Sequence, residues 1–222
     1  MTAILVVCTI ALFLIVDSVR TRRRSPVVAP CVPRRLEALG GDFPVPAGVF
    51  VGAGHTWASL ETNGSVRVGV DAFASRLLGR LDRLEAAAAG AELAHEDAAF
   101  VLHQGTKSVA FASPLTGTVT DVNTALLHEP ERLRDAPYDS GWLLRIRPHH
   151  LARELHRLRI GDEAQGWLQH EAARLGDFLA RAVPSRIAGA TLQDGGLAVT
   201  GVMEMLDAGA WERFESEFLA GR

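Results

Sequence analysis

The most constraining feature of this chain is a series of short alternating apolar and polar runs, separated by turn residues, between Val49 and Pro148. Ser65–Val70 (SVRVGV) alternates as a half-buried strand does, and Asn63-Gly64 just before it is a hairpin signal. Ala98–Leu102, Val109–Ala112, Gly117–Val122 and Trp142–Ile146 read as further short strands. Asp71–Leu78 (DAFASRLL) reads as one or two helical turns, capped by Asp71 and closed by Gly79. Short strands at this spacing predict a small barrel or sandwich.

Outside this region the chain changes character twice. Ala3–Val16 is an apolar run broken only by Thr9, followed by the basic cluster Arg20, Arg22, Arg23 and Arg24. With no cation before the run and several after it, residues 1–18 read as a transmembrane anchor, not a cleaved leader. The arginines place the remainder on the cytoplasmic side of an inner membrane. Residues 19–48 form a basic, proline-rich linker.

Residues 149–222 read as a helical extension. Leu151, Leu155 and Leu158 share one predicted face before Gly161, and Asp162 is placed to cap a second helix bearing Leu168, Ala172, Leu175, Phe178 and Leu179. Pro184 ends that helix, Asp194-Gly195-Gly196 marks a hairpin within Ile187–Val202, and Ala208–Leu219 carries an amphipathic stripe of Trp211, Phe214, Phe218 and Leu219.

Charge excludes one class of function. The formal charge of −3 conceals a polar distribution, because six arginines and a single aspartate precede Leu36. That leaves 17 of the 23 basic and 25 of the 26 acidic residues to the body, an acidic surface unsuited to nucleic acid. Cys8 and Cys31 have no CxxC partner, and the adjacent His149 and His150 diverge, so no metal or disulfide framework is expected. No nucleophile–base pair stands out, so the chain is expected not to be an enzyme.

The ordered motifs carry a family resemblance. Gly54-His55-Thr56-Trp57 followed by GSVRVGVDAFASRLLGRLDRLE, then SPLTGTVTDVN (Ser113–Asn123), ALLHEPERL and APYDSGWLLRIRP (Ala136–Pro148), resembles the glycine cleavage H protein over roughly one hundred residues. The resemblance implies a mainly β barrel-sandwich hybrid of the lipoyl-domain type with short helices over 49–148. It also implies a hairpin that displays a lipoyl-bearing lysine, and a non-catalytic carrier serving partner enzymes.

Lys107 is the only lysine in the chain and lies beside the expected turn, which makes it the candidate for covalent lipoate. Counting back without gaps from Ser113-Pro114, however, puts the family's lysine position at Thr106, with His103 and Gln104 in place of its glutamate and serine. A slip of one residue in a strand sends a side chain to the other face. Two readings follow: a membrane-held lipoyl carrier acting through Lys107, or a cofactor-free scaffold subunit of a membrane complex. A periplasmic efflux adaptor ranks below both, since only Ala86–Asp97 separates the two β-halves.

Overall fold

The computed structural model of the chain describes residues 43–182 and 201–219. The apolar run at residues 1–18, the basic linker up to residue 42 and the hairpin expected around Asp194-Gly195-Gly196 lie outside the described residues. Among the described residues no helix is long and apolar enough to cross a membrane.

Among the described residues ten strands make two antiparallel sheets. The larger contains β1 (Val49–Val51), β2 (Thr56–Leu60), β3 (Val66–Val70), β5 (Glu92–Leu93), β8 (Gly117–Val122), β9 (Trp142–Pro148) and β10 (Arg159–Ile160), in the spatial order β10-β1-β2-β3-β9-β8-β5. The smaller joins β4 (Arg83–Ala86), β6 (Ala98–Gln104) and β7 (Lys107–Ala112) in the order β4-β6-β7. This is the expected β-rich architecture with short helical connections.

Local chemistry explains the joints. Gly64 adopts φ +84° in the turn between β2 and β3, a left-handed conformation that a side chain resists. Asp71 caps α1 (Ala72–Leu78) by accepting the Ala74 amide at 2.9 Å, and Gly79 ends it at φ +71°. At Gly69 an added Cβ would lie 2.8 Å from the Trp57 indole, so the bulge between β3 and β9 brings backbone directly onto that ring. The core gathers the inward faces of both sheets: Trp57, Val66, Val68, Phe100, Phe111 and Ile146 are all buried.

Several expectations need correction. Trp142 is only partly buried, unlike Trp57; the Arg145 guanidinium lies 4.3 Å from its ring centroid. The helix expected through Leu158 stops at Leu155, as α4 (Leu151–Leu155). Arg159 and Ile160 instead pair with Val51 and Phe50, so the larger sheet continues past Pro148. Leu151, Leu155 and Leu158 are half-buried, while Glu154 between them is buried and accepts the Thr116 amide at 3.0 Å. The next helix, α5 (Gly161–Ala182), begins at Gly161, which puts Asp162 inside its first turn and not at its cap. ALLHEPERL forms two short helices, α2 (Thr124–His128) and α3 (Arg132–Asp135).

The second described stretch opens with a 3-10 turn (Val202–Met205), so Val202 ends no strand, and continues as α6 (Ala208–Phe214) and a π-turn (Glu215–Leu219). The stripe expected there is present: Trp211, Phe214, Phe218 and Leu219 are buried.

Candidate functional site

The β6–β7 hairpin closes with Gln104 opposite Lys107, leaving Gly105 and Thr106 as its two-residue tip. Gly105 takes φ +59°, and its amide donates to the Asp82 carboxylate at 2.6 Å. The Gln104 side chain is buried at the base and donates to the carbonyls of Leu78 and Arg80, tying the hairpin to the end of α1. Thr106 is therefore exposed at the tip, where the resemblance places a lysine, and Lys107 already belongs to the strand.

Lys107 is half-buried and fully engaged. Its Nζ donates to the carbonyls of Met203, at 3.3 Å, and Leu206, and lies 5.2 Å from the Trp211 ring centroid. Burial pulls its pKa below the ordinary lysine value, partly offset by the nearby Asp207 and Glu204 carboxylates. The ammonium thus caps the end of the 3-10 turn, a favourable place for a cation. A carrier amine needs the opposite arrangement, an unencumbered Nζ projecting from the tip. As folded, the hairpin does not fit a lipoyl amide at Lys107, because that amide would remove the charge that the two carbonyls and the indole face hold.

A second cluster of functional groups has no counterpart in the sequence reading. His55, between β1 and β2, sits in the left-handed region at φ 57° and is completely buried. Its carbonyl accepts the Asp71 amide at 3.0 Å, and its Nδ1 meets the Asp71 carboxylate at 2.8 Å. The ring stacks between Phe73, at 4.7 Å, and Trp167 of α5, at 4.8 Å. Nε2 lies 3.9 Å from Glu171 Oε2, an ion-pair distance but too long for a hydrogen bond, and the atom has no hydrogen-bond partner. Burial opposes the charged imidazole, but Asp71 and then Glu171 outweigh it and raise the pKa to about 9. Glu171 is held below the ordinary carboxylate range; burial acts against this, and His55 and Arg174 prevail. The cluster is therefore a buried group of charges that links the β2–β3 region to α5. His55 stood in a motif that was singled out, and Asp71 was read as a cap. Their pairing, and the reach to Glu171, depend on tertiary contact that no local pattern encodes.

Comparison with known proteins gives a consistent result. A family model described as "Glycine cleavage H-protein" matches residues 51–171. The glycine cleavage system H protein of Hydrogenovibrio crunogenus is 38% identical over 98 residues, spanning 44% of this chain and 76% of that protein. The corresponding protein of Methylococcus capsulatus is 36% identical over 104 residues, 47% of this chain and 81% of that one. A crystal structure of a glycine cleavage system H protein from Mycobacterium marinum superposes with a TM-score of 0.50 at 23% identity, covering 55% of this chain and 98% of that chain, which shows a shared fold.

Proposed function

Because this chain belongs to the glycine cleavage H-protein family, we propose that its carrier-type domain works as a non-catalytic, partner-binding module, tethered to a membrane and without lipoate on Lys107. The domain is the lipoyl-carrier type in sequence and fold. The observation that carries the cofactor-free reading is the position of Lys107: its ammonium is turned onto the carbonyls of Met203 and Leu206 while Thr106 takes the tip. Such a module keeps the shape by which H proteins meet their partners and gives up the swinging arm. The tether rests on the apolar run Ala3–Val16 and the arginines that follow it, which orient the domain toward the cytoplasm.

The second reading is a lipoyl carrier acting through Lys107, favoured by the fact that this chain's single lysine falls next to the family's attachment turn. An acceptor assay separates the two. With lipoate, ATP and a lipoate-protein ligase, the full-length protein is expected to remain unmodified. The double variant Thr106→Lys, His103→Glu, which restores the family's residues at the tip, is expected to accept one lipoyl group. Stoichiometric modification of the unaltered protein at Lys107 overturns the cofactor-free reading in favour of the carrier. A reporter fused after Arg222 tests the tether: activity of a reporter that works only outside the cytoplasm contradicts the orientation.

A further inference from the structure

Away from the hairpin, the β1–β2 turn, β10, α5 and the π-turn border a cavity of about 370 Å³. Its walls include Arg159, Trp167, Glu171, Arg174, Glu217 and Phe218. Cavities of this size, roughly 300 Å³ and upward, hold small molecules. Two guanidiniums in these walls are built alike. Arg174 lies 4.9 Å from the centroid of the Phe218 ring, and Arg159 lies 4.7 Å from that of Trp167. An aromatic face fixes the plane of a guanidinium and leaves its N–H edge for an oxyanion.

At Arg174 that edge is taken. Its Nη1 donates to both oxygens of Glu171, at 2.6 and 2.8 Å, and its Nη2 donates to the Glu217 carbonyl at 3.1 Å. At Arg159, among the described residues, no carboxylate lies within ion-pair distance. The acidic groups of the cavity are engaged with other cations. Glu171 stands between Arg174 and the buried His55 Nε2, 3.9 Å away, and Glu217 pairs with Arg181 at 3.8 Å. Arg159 is also anchored, because its backbone pairs with Val51 and the Trp167 ring beneath its guanidinium packs on His55 at 4.8 Å. Arg159 therefore repeats the arrangement of Arg174 without its carboxylate.

We propose that this cavity binds a small monocarboxylate, whose carboxylate meets the Arg159 guanidinium and whose apolar body fills the space bordered by Ala53, Trp167 and Phe218. The Arg174–Glu171 pair shows the chemistry that a stacked guanidinium takes at this wall. Charge sets the valence. One unmatched cation accepts one negative charge, while a dianion such as phosphate brings a second charge against Glu171 and Glu217. Lys107 takes no part in the cavity, so the site stands whether or not that lysine carries lipoate.

The test follows the tryptophan indole N–H signals of the full-length, 15N-labelled protein at neutral pH. The chain has four tryptophans, which keeps these signals few enough to assign by substitution. Butyrate is the probe, butyramide its uncharged isostere, and inorganic phosphate the competing anion. Butyrate is expected to move the Trp167 signal saturably and to leave that of the buried Trp57 in place, and butyramide is expected to move neither. Arg159→Gln is expected to weaken butyrate by about tenfold or more, the scale of losing a charge-assisted pair. An unshifted Trp57 signal in that variant reports an intact fold. No saturable shift with butyrate, or an equal shift with butyramide, overturns the proposal. So does phosphate binding more tightly than butyrate, or butyrate affinity unchanged in Arg159→Gln. The comparison of butyrate, butyramide and phosphate is read on the unaltered protein, so it decides the question even if the variant does not fold.

Discussion

Lys107 and Trp211 hold each other from two directions. The ammonium lies 5.2 Å from the indole centroid, and the indole Nε1 donates to the carbonyl of Ser108, the residue that follows the lysine. One ring therefore fixes both the side chain and the strand that bears it, which directs Nζ onto the Met203 and Leu206 carbonyls and away from the hairpin tip. Replacing Lys107 with Met keeps most of the stem and removes the charge. The loss is expected to be about 1–2 kcal/mol, the scale of a partly exposed cation–π contact plus a charged hydrogen bond. Urea unfolding checks it; an unchanged midpoint would mean that the contact carries no stability.

Asp71 serves two masters, the Ala74 amide and the His55 ring. Asp71→Ala removes the cap and leaves a buried imidazolium facing one distant carboxylate, so a loss of about 3–5 kcal/mol is expected. Asp207 caps α6 in the same way, accepting the Ala210 amide at 2.8 Å, but it is exposed, and the Lys107 ammonium it acts on is only half-buried. Asp207→Ala is expected to cost only about 1 kcal/mol. Paired denaturation curves test the ranking, and equal losses would show that His55 adds nothing to the role of Asp71.

The pH dependence follows from the same pair. His55 titrates at about 9 in the fold against 6.5 in an unfolded chain, so the folded state binds the extra proton between those values. Its contribution is complete below about pH 6.5 and disappears as pH rises through about 9, a change on the order of 3 kcal/mol. Glu171 acts in the opposite sense: its lowered pKa stabilises the fold above the ordinary carboxylate range, and that share is lost on acidification. Melting temperatures measured from pH 6 to 10 are expected to fall, and in His55→Gln this fall should flatten. A parallel decline in both proteins would assign the effect elsewhere.

Gly69→Ala tests the packing of the bulge. The added methyl would lie 2.8 Å from the Trp57 indole, and Trp57 is pinned by its Nε1 bond to the Val70 carbonyl at 3.0 Å. Overpacking of this kind costs about 1–3 kcal/mol. A melting temperature equal to that of the unaltered protein would show that the ring can move aside.

Much of the fold was legible because it is locally encoded. Asn63-Gly64, Asp71 and Gly79 each impose a turn or cap through their own chemistry, alternation located β3, and short runs between turn residues located β6, β7, β8 and β9. What escaped depends on distant partners. Arg159-Ile160 is a two-residue strand that exists only because β1 offers it an edge, and it looked like the middle of a helix. At the hairpin, counting residues placed Thr106 at the tip and left Lys107 off register. The destination of Lys107, nearly one hundred residues along the chain, could not be read without the fold. The His55–Glu171 pair escaped for the same reason, since 116 positions separate a β-hairpin from a helix.

Intact mass of the full-length protein, isolated from the cells that make it, decides whether Lys107 is a structural pin or a carrier amine. The expected spectrum shows the chain without a lipoyl group, and the same mass shift is absent from Lys107→Arg. A stoichiometric lipoyl increment on the unaltered protein, lost in Lys107→Arg, would contradict the reading of Lys107 as a pin and make this chain a carrier.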